Sequence, residues 1–460
     1  MTDLELRGKN VLVVGFARTG EAVCRFLLDR GARVRVTEKK PAEALGERPR
    51  AFAERGVAFE TGGHQVGSFL EADLIVPSPG VPLLPELAAA KEKGVPVLSE
   101  IEVAFRFLKG RIVGLTGSNG KSTTATLLHG VLREAGLRSR LAGNIGTPLI
   151  SFVEKSRDED IYVTEISSFQ LEWTKLFTPA VAVLLNVSEN HLDWHGSFES
   201  YFAAKKKLVL RQGPDARAVL NRDDARVWGL AAEAASRVYG FSRKRRVRRG
   251  AFVDGGFVVV NDGRPERVLP VRSIRLPGLH NLENVLAAAL AGRILGAPAG
   301  SIRRAVRDFR GLEHRLEDVL TAGGVRFVND SKATTVDATL KALASFDRPV
   351  VLILGGRGKG GDFSPLRPAV RKRARTVVLV GEAADKIEKA LGSAVPVIRA
   401  ADYREVVRSA FAAARRGDVV LLAPAATSWD MFADFEERGR TFKAEVRRLA
   451  AAIERAGGRR

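Results

Sequence analysis

Residues Gly117-Ser118-Asn119-Gly120-Lys121-Ser122-Thr123 stand between an apolar run at 111–115 and a stretch that sets Leu128, Val131, Leu132 and Ala135 on one helical face. A glycine-rich turn in that setting aims successive backbone N–H groups at one spot. The helix start adds unpaired N–H groups and its positive dipole end, so the turn can cradle an anion. Lys121 would neutralise terminal phosphates, and a hydroxyl of Ser122 or Thr123 would reach Mg2+. The standard phosphate loop also wants a glycine where Leu115 stands, so the pattern here is the shorter Gly117-x-x-Gly120-Lys121-Ser122.

Further polar groups sit where strands should end. Glu165 closes the run at 161–164, the end of a parallel strand that faces a ligand crevice in open α/β sheets. It reads either as a magnesium ligand or as a capping acid. His191 belongs to a polar cluster, 186–193, after the run at 180–185. Nearer the start, Gly15 and Gly20 bracket a second turn after a strand, and Glu38 ends the following strand. Ala17 replaces the central glycine of a dinucleotide fingerprint, so NAD is not specified. A nucleotide phosphate at Thr19 and Gly20 and a plain βα turn both remain open. Taken alone, the lysines at 205–207 read as a solvated helix face.

The elements that must position these groups alternate in type. Apolar runs at 10–14, 33–36, 74–76, 111–115, 161–164, 180–185, 325–328, 350–354, 376–380 and 419–422 read as strands, with helical patterns between many of them. Consecutive apolar, β-branched positions suit parallel strands covered on both faces, so the class is α/β. The expected division is three domains, 1–110, 111–311 and 312–460, with a hairpin in 243–262. The chain has 460 residues, 45% of them hydrophobic and 28% charged, which suits a folded protein. Its net charge of +21 favours anionic partners without choosing among them. A single cysteine, Cys24, excludes an internal disulfide and cysteine-rich zinc motifs. No apolar run approaches the ~20 residues of a membrane span. The polar, acidic start is the wrong order for a secretory signal, so the expectation is a soluble cytoplasmic protein.

Taken together these segments resemble the ATP-dependent Mur ligases of peptidoglycan synthesis, over essentially the whole chain. Residues 114–123 look like that family's shortened ATP loop. Gly143-Asn144-Ile145-Gly146, the segments 165–172 and 186–193, Gly278-Leu279-His280-Asn281, His314-Arg315 and Asn329-Asp330-Ser331-Lys332 follow in family order. Within the family, the segment 329–332 and the tail 428–439 are most similar to members that add D-glutamate. The Asp-Asn-Pro-Arg type motif of members adding a diamino acid is missing.

The resemblance implies an N-terminal Rossmann-like UDP-binding domain, a central P-loop-type ATPase domain and a C-terminal Rossmann-like domain. It also implies a reaction. The L-alanine carboxylate of UDP-N-acetylmuramoyl-L-alanine attacks the ATP γ-phosphate, and the amine of D-glutamate attacks the resulting acyl phosphate. On this resemblance ATP lies on Gly117, Ser118, Asn119, Gly120, Lys121, Ser122, Thr123, Asn281, Arg315 and Asp330. Mg2+ lies on Ser122, Glu165, His191 and Lys205, the last as a CO2-derived carbamate. The UDP substrate lies on Arg18, Thr19, Glu38, Gly80, Asn144 and Ser167, and D-glutamate on Thr334, Lys359, Ser428 and Phe435. Lys121, His191, Lys205 and Lys332 are the implied catalytic set, in a monomer that binds no nucleic acid. Two stretches depart from the family pattern: Glu38-Lys39-Lys40 replaces an Asp-Thr-Arg-like stretch, and Arg357 stands where an acid is common near Lys359.

Two other readings compete. Folylpolyglutamate synthase shares the ATP loop type but lacks an N-terminal UDP domain, whereas ~110 residues precede the loop here. The run Arg243-Lys244-Arg245-Arg246-Val247-Arg248-Arg249 prompts a nucleic-acid module, yet no helix-turn-helix, zinc finger or aromatic RNA-binding strand accompanies it. A solvated loop is the simpler account of it.

Overall fold

The computed structural model describes residues 4–276, 278–358 and 361–457. The chain divides into two compact units, Met1–Phe309 and Arg310–Arg460.

The first unit contains two sheets. The smaller has strand order Ala58–Thr61, Arg33–Glu38, Asn10–Val14, Leu74–Pro77, every pair parallel. That order is the start of a Rossmann-type sheet. The larger runs Pro265–Pro270, Phe257–Asn261, Gly250–Asp254, Arg237–Ser242, Arg217–Asn221, Val181–Leu184, Arg111–Thr116, Ile161–Glu165, Ser139–Gly143. Its strands are parallel except for the two pairings among the first three. Leu74–Pro77, Ile161–Glu165 and Val181–Leu184 are buried at every position, as strands flanked by helices on both faces must be. Helix Lys121–Glu134 packs Leu127, Leu128, Val131 and Leu132 into the same core as helix Leu279–Ile294. Gly136, at φ 75°, turns the chain out of the first of these helices.

The second unit is one six-stranded sheet, ordered Glu317–Ala322, Val325–Asn329, Val419–Leu422, Val350–Gly355, Ala374–Val380, Val397–Arg399. Only its first pair is antiparallel. The long helix Phe435–Gly457 sends Phe442 and Val446 into the core on one side.

All ten expected strands form. Of the strands that the apolar runs did not reveal, Ala58–Thr61, Ser139–Gly143, Glu317–Ala322 and Val397–Arg399 are sheet edges, whereas Arg217–Asn221 and Arg237–Ser242 lie inside the larger sheet. An edge is half solvated and tolerates polar residues, so it lacks a continuous apolar run. The expected hairpin is shorter than 243–262: Gly250–Asp254 pairs with Phe257–Asn261 about Gly255 and Gly256, and a further strand, Pro265–Pro270, follows. The basic run 243–249 stays a mostly exposed loop, because its side chains cannot be buried in the pleat. Among the described residues no helix is long and apolar enough to cross a membrane.

In each of the three sheets some candidate residues lie at or just after the C-terminal ends of parallel strands, among them Glu38, Glu165 and Asp330, where such sheets hold their ligands.

Candidate active site

The phosphate loop leaves strand Arg111–Thr116 and enters helix Lys121–Glu134. Gly120 caps that helix in the left-handed region, at φ 83°, and a Cβ there would lie 2.2 Å from Asn284 Oδ1. Both the conformation and the close approach require glycine. Lys121 Nζ donates to the carbonyls of Gly117 (2.9 Å) and Ser118 (3.1 Å), arching over the loop. Ser122 and Thr123 are buried in the first helical turn.

The structure brings the next polar cluster onto this loop. Asn119 N donates to Asn186 Oδ1 at 2.9 Å, and Asn186 Nδ2 donates back to Asn119 O at 3.1 Å. Ser118 Oγ accepts from Ser188 N and meets Tyr201 Oη, both at 2.9 Å. Glu165 is 2% exposed at its strand end. Its Oε1 accepts from Asn144 Nδ2 at 2.9 Å, whereas its buried Oε2 has no hydrogen-bond partner. A buried carboxylate oxygen without a donor is costly unless a cation fills the place, so this acid fits a hard metal ion. Ser167 caps the short helix after Glu165 in a reciprocal bond with Gln170.

Lys205 corrects the solvated-face reading of 205–207. On helix Phe198–Leu210 it is 1% exposed, while its neighbours lie nearer the surface, Lys207 paired with Glu172 and Lys206 over the Phe202 ring. Lys205 Nζ donates to Thr116 Oγ1 (3.2 Å) and Gly117 O (3.1 Å) and lies 4.7 Å from the Tyr201 ring centre. Burial, helped by the nearby Lys121 charge and opposed by Glu165, holds its pKa well below the ordinary lysine range. Such burial favours the neutral, nucleophilic form of the amine.

His191 is exposed, at φ 54°, and starts the short helix Leu192–His195 with its ring 4.8 Å from that of Phe169. Sequence reasoning missed His195, one helical turn on. Its Nε2 meets Ser168 Oγ at 2.9 Å, its ring stacks on Phe169, and burial drives its pKa down to about 4, leaving it neutral. The His191–His195 spacing of four was the available signal. Asn284 was missed as well: it touches Gly120 and donates to Asn281 Oδ1 at 3.1 Å, which brings Asn281 to the loop.

At the N-terminal sheet Arg18 is exposed and opens helix Arg18–Asp29, with Thr19 beside it. Glu38 accepts from Phe16 N (2.8 Å) and Lys40 N (3.0 Å), so it fixes the glycine turn through the backbone. Trp194 Nε1 donates to Val81 O at 3.2 Å, which joins the turn containing Gly80 to the His191 helix.

In the second unit, Asp330, Lys332 and Thr334 follow strand Val325–Asn329. Asp330 is 7% exposed, and desolvation raises its pKa to about 6 against the Leu316 N–H and the charges of Arg315 and Lys332. Lys332 Nζ lies 5.6 Å from the Phe435 ring centre. Ser428 is buried, and its carbonyl accepts from Met431 N and Phe432 N. Lys359 lies outside the described residues. Arg357 is neutralised by a two-bond pair with Glu382 (2.8 and 2.9 Å) and adds no unpaired charge. Among the described residues one group of metal-type ligands converges, Glu313, His314 and Glu317. The Lys443 ammonium holds both of those carboxylates, so a cation is already built in.

Three family descriptions match successive parts of the chain: Mur ligase MurD-like, N-terminal domain at 9–99, Mur ligase middle domain at 115–292, and Mur ligase, glutamate ligase domain at 314–426. The chain is 49% identical over 444 residues to the UDP-N-acetylmuramoylalanine--D-glutamate ligase of Acidobacterium capsulatum, covering 96% of each protein. It is 44% identical over 449 residues to the ligase of the same name from Koribacter versatilis, covering 97% of this chain and 99% of that one. Among solved structures, a pseudomurein peptide ligase type C from Methanothermus fervidus and a UDP-N-acetylmuramate-alanine ligase from Thermotoga maritima each share the fold. Both have TM-scores of 0.55 and 19% identity, covering 96% of this chain and 100% of theirs.

Proposed function

Because this chain belongs to the Mur ligase family, we propose that it joins D-glutamate to UDP-N-acetylmuramoyl-L-alanine with hydrolysis of ATP to ADP and phosphate, in peptidoglycan precursor synthesis. The carrying observation is the 49% identity across 96% of the chain to a ligase of that name. We take it to act in the cytoplasm as a monomer.

The chemical obstacle is the approach of a carboxylate to a triphosphate. Two like charges 4 Å apart repel by roughly 4 kcal/mol at an effective dielectric of 20, so cations must crowd the site. Lys121 and the backbone N–H groups of the loop hold the terminal phosphates. Ser122 and Glu165 would hold one Mg2+, and His191 with a carbamate on Lys205 a second. Bound there, such ions would supply charge compensation to the phosphate oxygens. Carbon dioxide reacts with a neutral amine, and the depressed pKa of Lys205 supports that assignment. Asn144 orients Glu165 through its Oε1. Asn281 supports adenine. Arg315, Asp330 and Lys332 act around the phosphoryl group, while Thr334, Lys359, Ser428 and Phe435 take D-glutamate. The UDP moiety uses Arg18, Thr19, Gly80 and Ser167, with Glu38 shaping the turn.

The test is mass spectrometry of the product with D-glutamate, L-glutamate, L-alanine and L-lysine competing for UDP-N-acetylmuramoyl-L-alanine and ATP. Only the D-glutamyl product should accumulate; a dominant product from another amino acid overturns the reading.

A further inference from the structure

We propose that Arg438 is the positioning residue of the amino-acid site, locking the loop that carries Asp330 and Lys332 to the segment that carries Ser428. The proposal rests on the D-glutamate reading above. Arg438 lies in the first turn of helix Phe435–Gly457, is 1% exposed and heads the fully buried side chains by volume. Its Nε donates to Ser331 Oγ at 2.9 Å and its Nη2 to Ser331 O at 2.9 Å. Its Nη1 donates to Ala426 O at 3.1 Å. Ser331 Oγ passes the link on to Phe435 O at 2.8 Å.

A third loop lies against the same group. Gly356 sits at φ 121°, and a Cβ there would be 2.0 Å from Thr427 O and 3.1 Å from Arg438 Nη1. Arg357 and Thr427 exchange backbone bonds of 2.9 and 3.0 Å, so this loop moves with the Ser428 segment. The three loops leave adjacent strands, Val325–Asn329, Val419–Leu422 and Val350–Gly355. One planar guanidinium bonds the first two of them at once because its donors diverge in a fixed fork, while the third packs against its Nη1; an ammonium cannot.

The acceptors are two carbonyls and a hydroxyl, with no carboxylate among them. Burying a cation on neutral partners is unfavourable, and burial pulls the Arg438 pKa down. An apolar side chain would fill the volume at less expense. What the arginine supplies is geometry: it fixes the phosphoryl-handling loop relative to the amino-acid loop, as attack by an amine on the carbonyl carbon of an acyl phosphate, with phosphate leaving, requires.

The experiment uses the full chain with Arg438→Lys, Arg438→Ala and Ser331→Ala, in steady-state kinetics for all three substrates, with calorimetric binding of the UDP-linked substrate and thermal unfolding alongside. Losing hydrogen bonds from a charged donor should raise KM for D-glutamate about 10- to 100-fold in Arg438→Lys and Ser331→Ala. Affinity for the UDP-linked substrate should stay at the wild-type value. Millimolar guanidinium, and not ammonium, should partly restore Arg438→Ala. Should Arg438→Ala not fold, Ser331→Ala decides alone, since it removes the Nε acceptor and leaves the arginine in place. Wild-type KM for D-glutamate in both Arg438→Lys and Ser331→Ala, or equal losses for every substrate together with a lowered Tm, overturns the proposal. Failure of the underlying reading is separate: the wild type itself would show no D-glutamate-dependent ADP release.

Discussion

At the scale of single residues, the site depends on charges whose environment sets their state. Lys205→Ala should lower ligation by at least ~10²-fold, the usual effect of removing a positioned charge stabiliser, whereas Lys206→Ala should be mild. Millimolar short-chain carboxylates should partly restore Lys205→Ala by supplying the missing anionic oxygen, measured as ADP release. A dead Lys206→Ala beside an active Lys205→Ala would falsify the assignment. Asp330 gives a linkage prediction of defined sign. Its pKa is raised from 3.8 to about 6, so between those values the folded chain binds more protons than the unfolded one, and stability falls as pH rises through 6. Asp330→Asn removes that penalty. It should be more stable than wild type near pH 7.5, by at most about 3 kcal/mol at 1.36 kcal/mol per pKa unit, with the gain vanishing below about pH 4. Urea unfolding at the two pH values measures the difference, and activity should fall in the same variant.

At the scale of elements, one helix is capped by a glycine and holds another, with opposite tasks. Gly120 needs its left-handed conformation and the space beside Asn284 Oδ1, whereas Gly130, inside the same helix, has nothing within 4 Å of a built Cβ. Gly120→Ala should therefore weaken ATP binding markedly in a nucleotide titration. Gly130→Ala should leave binding alone and stabilise the fold by about 1 kcal/mol, the helix-propensity difference. Equal effects of the two substitutions would refute the assignment of the loop geometry. His195 belongs to this scale too, since it matters through what its helix touches: Ser168, Phe169 and Tyr201.

At the scale of the molecule, the two sheets of the first unit are joined by a buried acid. Glu102, on helix Glu100–Phe107, accepts from the backbone N–H groups of Lys175, Leu176 and Phe177 and pairs with Arg106 at 2.7 Å. Removing one side of such a buried, hydrogen-bonded group strands the other, so Glu102→Ala should destabilise this unit by about 3–5 kcal/mol. Chemical denaturation reads the loss. An unchanged midpoint would mean that the joint is carried by apolar packing alone. Glu100 adds to the joint by accepting from Ile150 N, and its burial raises its pKa to about 7.

The sequence by itself determined the α/β class, ten of the strands and the phosphate loop. Each is written locally, in apolar runs of strand length or in glycines at the spacing a phosphate turn needs. It also supplied the candidate site residues, through motif order and family likeness rather than through any pattern of burial. What only the tertiary structure decided is that, of three identical neighbouring lysines, it is Lys205 that is buried and has its pKa pulled down. Lys205, Lys206 and Lys207 are chemically the same in sequence, and only the placement of helix Phe198–Leu210 against Thr116 and Gly117 buries one of them. Several strands, His195, Asn284 and Arg438 escaped because their surroundings are set by packing. The roles of the three side chains come from partners 12 to 164 residues away across a loop or a buried guanidinium fork, as when Asn284 meets Gly120 or Arg438 reaches Ala426 and Ser331. No local pattern encodes such partners, because desolvation and hydrogen-bond geometry depend on what packs around a group.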